Sequence, residues 1–216
     1  MTNEHQRVDV ATLLRALGHE FVSRELSDEQ LNVVAVQVRD MLELVRSGEL
    51  RRRPFAAESL ADFKMNVPQE GDGEKRQLFS DSIVSGGSNP MGLGGLLWRE
   101  GGTAVMEVTL GRAFEGAPGR AHGGIVAALI DETMGLVLAI NSRLAFTGQL
   151  DITYIAPTPI GEPITARALL TATDGRKLTI TATVEATGVT IANATALFIS
   201  VDPEKFLSDL HTQELD

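Results

Sequence analysis

The sequence predicts an α+β domain: one long helix enclosed by a six-stranded antiparallel sheet, behind an N-terminal helical extension. Three observations carry this. The stretch Ile125 to Ile140 is apolar over most of a helix surface, so it must be covered on several sides. Four runs rich in Thr, Ile, Val and Ala follow it in succession, separated by turn dipeptides. The first fifty residues carry two apolar stripes at helical spacing.

In the first helix the stripe is Val10, Leu13, Leu14, Leu17 and Phe21. In the second it is Leu31, Val34, Ala35, Val38, Met41, Leu42 and Val45, opened by the capping-box pair Ser27 and Gln30 and stopped near Gly48. Packing of both helices on the body of the domain is favoured over a lid or a partner-binding role. Arg51-Arg52-Arg53-Pro54 reads as a short basic linker, and residues 66–92, rich in Gly, Asp, Ser, Asn and Pro, as an irregular connection. The expected division is therefore 1–65 for the extension and linker and 66–216 for the sheet domain.

Within that domain, Leu93–Arg99 and Thr103–Leu110 flank Gly101-Gly102 as a strand hairpin. Beyond the long helix lie Thr147–Ala156, Pro163–Thr173, Lys177–Thr187 and Thr190–Val201. Leu150, Ile152 and Tyr154 alternate with Gln149, Asp151 and Thr153, the period of a half-buried strand. Asp174-Gly175 and Thr187-Gly188 mark hairpin turns. The tail from Asp202 reads as a short polar helix.

Composition narrows the function classes. Of 216 residues 43% are hydrophobic, which suits a globular core, and the formal net charge of -10 argues against a broad nucleic-acid surface. There is no cysteine, so thiolate nucleophiles, thiolate metal sites and disulfides are excluded. The polar start, Met1 to Val8, does not read as a secretory signal, and Asp131 and Glu132 interrupt the one long apolar window, so no membrane span is expected. Cytoplasmic placement is the expectation. No metal-spaced His cluster, phosphate loop or nucleophile elbow is present, so neither a metal nor a redox cofactor is expected.

The chemistry concentrates at Gly119-Arg120-Ala121-His122-Gly123-Gly124 and the helix that follows. Glycines opening a helix leave free N–H groups for an oxygen carrying negative charge and allow a ligand to approach the backbone. A carboxylate inside an apolar helix is costly without a partner or a task. Asp131 has small neighbours on its face, Ala127, Ala128 and Gly135, and suits a general base or a nucleophile. Glu132, about 100° further round the helix, is the rival, to be held by solvent or a salt bridge.

The stretch Phe114 to Gly124, then Ala128 to Glu132, Thr147 to Tyr154 with Pro157 and Pro159, and Gly175-Arg176-Lys177, resembles the hotdog-fold acyl-CoA thioesterase superfamily. It is most similar to the branch of the phenylacetic-acid-degradation thioesterases and thioesterase superfamily member 4. Ser88-Asn89-Pro90-Met91-Gly92-Leu93 matches the same pattern upstream. The resemblance covers residues 79–203 and leaves the helical extension outside. It implies a homodimer or dimer of dimers, with sheets joined edge to edge and active sites at the interface. It also implies hydrolysis of an acyl-CoA, a role in lipid metabolism, and no cofactor beyond the CoA of the substrate. Carried over by residue, His122 and the Gly123 N–H polarise the carbonyl. Asp131, from the other subunit, acts as base or nucleophile, and Thr147 positions water. Gly124, Asn89, Arg176 and Lys177 bind substrate or CoA. Some branches carry Asn where this chain has Gly116. The alternatives weighed are an enoyl-CoA hydratase or dehydratase of the same fold, and a non-catalytic acyl-CoA-binding module.

Overall fold

The computed structural model describes residues 3–51, 67, 75–77, 80–202 and 206. The proposed boundary at 65/66, most of the basic linker and nearly all of the terminal helix lie outside the described residues.

In chain order the elements are α1 (Asn3–Ser23), α2 (Asp28–Arg46), β1 (Leu96–Glu100), β2 (Thr103–Thr109), a 3-10 turn (Arg112–Phe114), α3 (Gly123–Ile140), β3 (Ala145–Tyr154), β4 (Pro163–Asp174), β5 (Lys177–Ala186) and β6 (Val189–Ser200). The strands form one antiparallel sheet in the order β1-β2-β4-β5-β6-β3. The β5–β6 hairpin turns on Thr187 and Gly188, both at positive φ, which matches the right-handed strand twist.

One sheet face packs on α3. Its inward positions on the middle strands are small or β-branched: Ile164, Ala166 and Ala168 on β4, and Ile180, Ala182 and Val184 on β5. The alanines leave room for the large side chains of the helix, Leu129, Ile130, Met134 and Leu136, all fully buried. A close-packed core needs such matching of small against large. By length and composition alone, α3 is apolar enough to cross a membrane, contrary to the expectation that its two acids would exclude this. In the fold it packs against β2, β3, β4 and β5.

The extension departs from expectation. The capping box at Ser27 and Gln30 forms, with both reciprocal hydrogen bonds present. Yet α1 docks through its polar edge. Arg15 donates to the carbonyls of Gly87 (3.0 Å) and Asn89 (2.7 Å), His19 Nδ1 accepts from Ala113 N–H (3.1 Å), and Ala11 is buried between. The His19 ring meets Phe114 edge-on. Burial, then the nearby Arg15 charge, hold His19 below the ordinary histidine range despite Glu20. Of the apolar stripe of α1, Val10, Leu13, Leu17 and Phe21 are exposed and Leu14 is half-buried, and α2 has no buried residue. Periodicity identified these faces, but it could not say which surface would cover them.

Candidate active site at the helix opening and the free sheet edge

His122 caps α3. Its Nδ1 accepts from the Gly124 N–H at 3.0 Å, and its own N–H reaches the Phe114 carbonyl at 2.9 Å. Because Nδ1 is an acceptor, the ring proton sits on Nε2, a potential donor, and His122 is exposed. Gly123, the first residue of the helix, precedes every i→i−4 bond, and its N–H finds no partner among the described residues. A Cβ on Gly123 would make ordinary contact with Tyr154 Oη at 3.4 Å, so packing within the chain does not demand glycine there. Gly116 is different. A Cβ on it would lie 2.9 Å from the His122 Cα, so the asparagine of other branches would displace the capping residue.

Tyr154 is a participant that the sequence reading did not assign. Its hydroxyl donates to the Gly123 carbonyl at 2.8 Å and ties the end of β3 to the start of α3. Beside this bond lies an open cavity of ≈ 280 Å³ lined by Arg120, Gly123, Val126, Tyr154 and Thr158 among others. The available signal was period two: Tyr154 shares the face of Leu150 and Ile152, which look towards α3.

Asp131 and Glu132 have separate partners. Glu132 receives the Ser82 hydroxyl on one oxygen and the Ser85 N–H, at 3.0 Å, on the other. It anchors the loop before β1, through loop donors rather than the solvent or salt bridge expected. Asp131 is half-buried and accepts a hydrogen bond from Thr147 Oγ1 at 2.8 Å. That contact depends on a bulge. The β3–β6 register slips between Thr147 and Gln149, so Gly148 is the extra residue. Strict alternation would place Thr147 with Gln149, on the side away from α3. The bulge instead sets Thr147 opposite the buried Phe198, on the helix-facing side with Leu150 and Ile152.

The structure does not gather all the candidates within one chain. Asp131 lies nine positions after His122, about 13 Å along a helix, so the two cannot flank one carbonyl carbon from the same subunit. Asn89 spends its side chain on its own loop: Nδ2 donates to the Asp81 carbonyl at 3.1 Å and Oδ1 accepts from Met91 N–H at 2.8 Å. Arg176 and Lys177 sit at the β4–β5 turn, where Arg176 Nε donates to the Ser200 carbonyl at 3.0 Å. Ser200 pairs with Ala145, at the opposite end of β3 from Tyr154, about 30 Å along an extended strand. Gly124 is exposed beside His122, with its N–H committed to the cap.

Residues 118–193 match the model of the Thioesterase superfamily, a span that holds the helix opening, α3 and the bulged strand. A crystal structure described as a thioesterase superfamily protein superposes with a TM-score of 0.75 at 22% identity, over 89% of this chain and 90% of that one. The chain has the hotdog fold of that superfamily. The chain also aligns with mouse acyl-coenzyme A thioesterase THEM4, 39% identical over 100 residues, and with the cattle protein of the same name, 32% identical over 97. These matches cover 45% and 44% of this chain, and 43% and 40% of those relatives, so the chain spans less than half their length.

Proposed function

We propose that the chain is an acyl-CoA thioesterase working as a pair of subunits. The observation that carries this is the Gly123 N–H, without a partner among the described residues, next to the exposed capping residue His122, with a carboxylate–hydroxyl pair one helix segment away. Donors preorganised where oxyanion charge develops are a large catalytic term in acyl transfer. The alignment with the THEM4 thioesterases supports the thioester as the bond broken.

The 13 Å gap points to a second copy. Among the described residues, β3 pairs only with β6, and its outer edge has no strand partner there. Antiparallel pairing of two such edges about the middle of β3 carries Thr147 and Asp131 of the partner subunit towards Tyr154 and Gly123. It also brings the Ala145 end, with Arg176 and Lys177 of the partner subunit, towards the cavity at Arg120. Three cationic side chains then surround a site for CoA phosphates.

The thioester carbonyl oxygen accepts from Gly123 N–H and His122 Nε2–H. Asp131 of the partner subunit takes a proton from water, oriented by its Thr147, as the water oxygen bonds to the carbonyl carbon. The tetrahedral species collapses, the C–S bond breaks, the CoA sulfur leaves with the electron pair and takes up the proton held by Asp131 of the partner subunit, and the acid departs. No cofactor enters beyond the CoA of the substrate. The test is thiol release from acyl-CoAs, acetyl through long-chain and aromatic, by wild type and Asp131→Asn. Loss of a general base lowers turnover by about 10²–10⁴-fold. Full turnover by a folded Asp131→Asn protein removes Asp131 from the mechanism, and no thiol release by wild type on any acyl-CoA removes the activity itself.

A further inference from the structure

The extension presents a large exposed apolar surface, of the kind that marks interaction sites. On α1, Leu13 is 70% exposed, and Val10, Leu17 and Phe21 lie beside it on the outward side. On α2, Leu31, Val38, Met41, Leu42 and Val45 are all exposed, the last by 71%. The nine residues together expose on the order of 800 Å² per chain, about the share each partner contributes to a standard protein interface.

The pattern on α2 says what fits it. The stripe Leu31, Val34, Ala35, Val38, Met41, Leu42, Val45 is spaced symmetrically about Val38, with an apolar residue at each mirrored position. Reversed and laid on itself, it sets Leu31 against Val45, Val34 against Leu42, Ala35 against Met41, and Val38 against Val38. A surface complementary to itself after a half-turn is the requirement of a two-fold interface. The charges agree. The first turn of α2 is acidic, Asp28 and Glu29, and its last turn holds Arg46. The antiparallel arrangement sets Arg46 against Gln30, next to Glu29, and opposes the two helix dipoles. No charged residue falls on the stripe itself. The helix carries four acids, Asp28, Glu29, Asp40 and Glu43, against two bases, Arg39 and Arg46, a balance unsuited to an anionic lipid surface.

We propose that α2 is a two-fold self-association surface: it pairs antiparallel with α2 of a second copy of this chain, Val38 lying on the axis and the outward stripe of α1 extending the contact. This interface is separate from the free edge of β3 and does not depend on the hydrolase reading.

The chain has no cysteine, so Val38→Cys gives the molecule a single thiol at an exposed position where the change of size is small. In the full-length protein under mild oxidation, Val38→Cys forms a disulfide-linked dimer about a hundredfold faster than Asp40→Cys, because paired helices hold facing thiols at millimolar effective concentration while Asp40 lies on the far side of α2. A tagged Leu31→Cys protein mixed with untagged Val45→Cys forms mixed dimers faster than either forms its own. Far-UV circular dichroism and thermal unfolding matching wild type establish that the variants are folded. Equal rates for Val38→Cys and Asp40→Cys overturn the proposal. Self-linking of Leu31→Cys as fast as the mixed reaction overturns the antiparallel register. Sedimentation of the uncross-linked Val38→Cys protein with phosphatidylserine vesicles, without faster disulfide formation, reassigns the stripe to a lipid surface and also overturns it.

Discussion

Replacing Glu132 by alanine tests whether two adjacent acids on one helix do different work. The Glu132 carboxylate holds the Ser82 hydroxyl and the Ser85 N–H, and Ser85 is fully buried. Ser82 Oγ in turn accepts from Val84 N–H at 3.0 Å, so the carboxylate is the base of a small network. Hydrogen bonds to a charged group contribute about 1.5–3 kcal/mol each, and the Ser85 N–H left behind keeps only its longer contact to Ser82 Oγ, at 3.3 Å. With partial relaxation of the loop, Glu132→Ala costs about 3 kcal/mol, and at roughly 2–4 °C per kcal/mol for a chain of this size the melting temperature falls by about 6–12 °C. Glu132→Gln keeps one carbonyl acceptor and falls between this variant and wild type. Asp131→Ala loses only the bond from the exposed Thr147 hydroxyl, about 1 kcal/mol. The assay is thermal unfolding of the three variants, with amide exchange at Ser85 as the local readout. A Glu132→Ala protein within about 0.5 kcal/mol of wild type, the range of an ordinary surface substitution, refutes the anchoring role, and equal losses in Glu132→Ala and Asp131→Ala refute the division of labour.

Two further expectations concern the flanks of the site. His19 is held below 6.5, so the unfolded or undocked state binds more protons than the docked one; the stabilisation it gives α1 is complete above pH 6.5 and is lost as pH falls below that value towards the folded pKa. Amide exchange at Ala113, whose N–H needs the unprotonated Nδ1, accelerates over that window, and a His19→Gln protein shows no such dependence. Tyr154→Phe removes the hydroxyl that fixes the Gly123 carbonyl and lowers kcat for acyl-CoA hydrolysis by about 10-fold, equivalent to 1.4 kcal/mol, with a smaller change in KM; an unchanged kcat shows that the helix opening is held without it.

The legible parts of the sequence were those governed by local period. The apolar run of α3 and the alternation on β3 to β6 are set by which face must leave water, and they predict elements without knowledge of neighbours. The capping box at Ser27 and Gln30 is likewise a contact between residues three apart. What escaped was set by register and docking. Thr147 faces Asp131 because Gly148 is pushed out of the β3–β6 ladder, and nothing in Thr147-Gly148-Gln149 alone distinguishes a bulge from an ordinary strand glycine. His19 carries no local signal of its contact, because its partner, Ala113, is 94 residues away. The roles of Arg176 and Lys177 rested on resemblance, and the turn that carries them lies far along the sheet from the helix opening of the same subunit.

The hydrogen bonds also connect the extension to α3. Arg15 of α1 holds the carbonyls of Gly87 and Asn89, and the Ser88 hydroxyl reaches Glu4. The same loop, a few residues earlier, delivers Ser82 and Ser85 to Glu132. Glu132 is the immediate neighbour of Asp131 on α3, so α1, the loop and the carboxylate in contact with Thr147 form one continuous set of contacts. An extension attached only by its apolar stripe could slide without disturbing α3. One attached by Arg15 and His19 is registered to named carbonyl and amide groups, and its apolar stripes are left free to face another surface. The polar docking of α1 and the self-complementary stripe of α2 are in this sense one arrangement: the first fixes where the extension sits on the hotdog domain, and the second fixes what can meet it there.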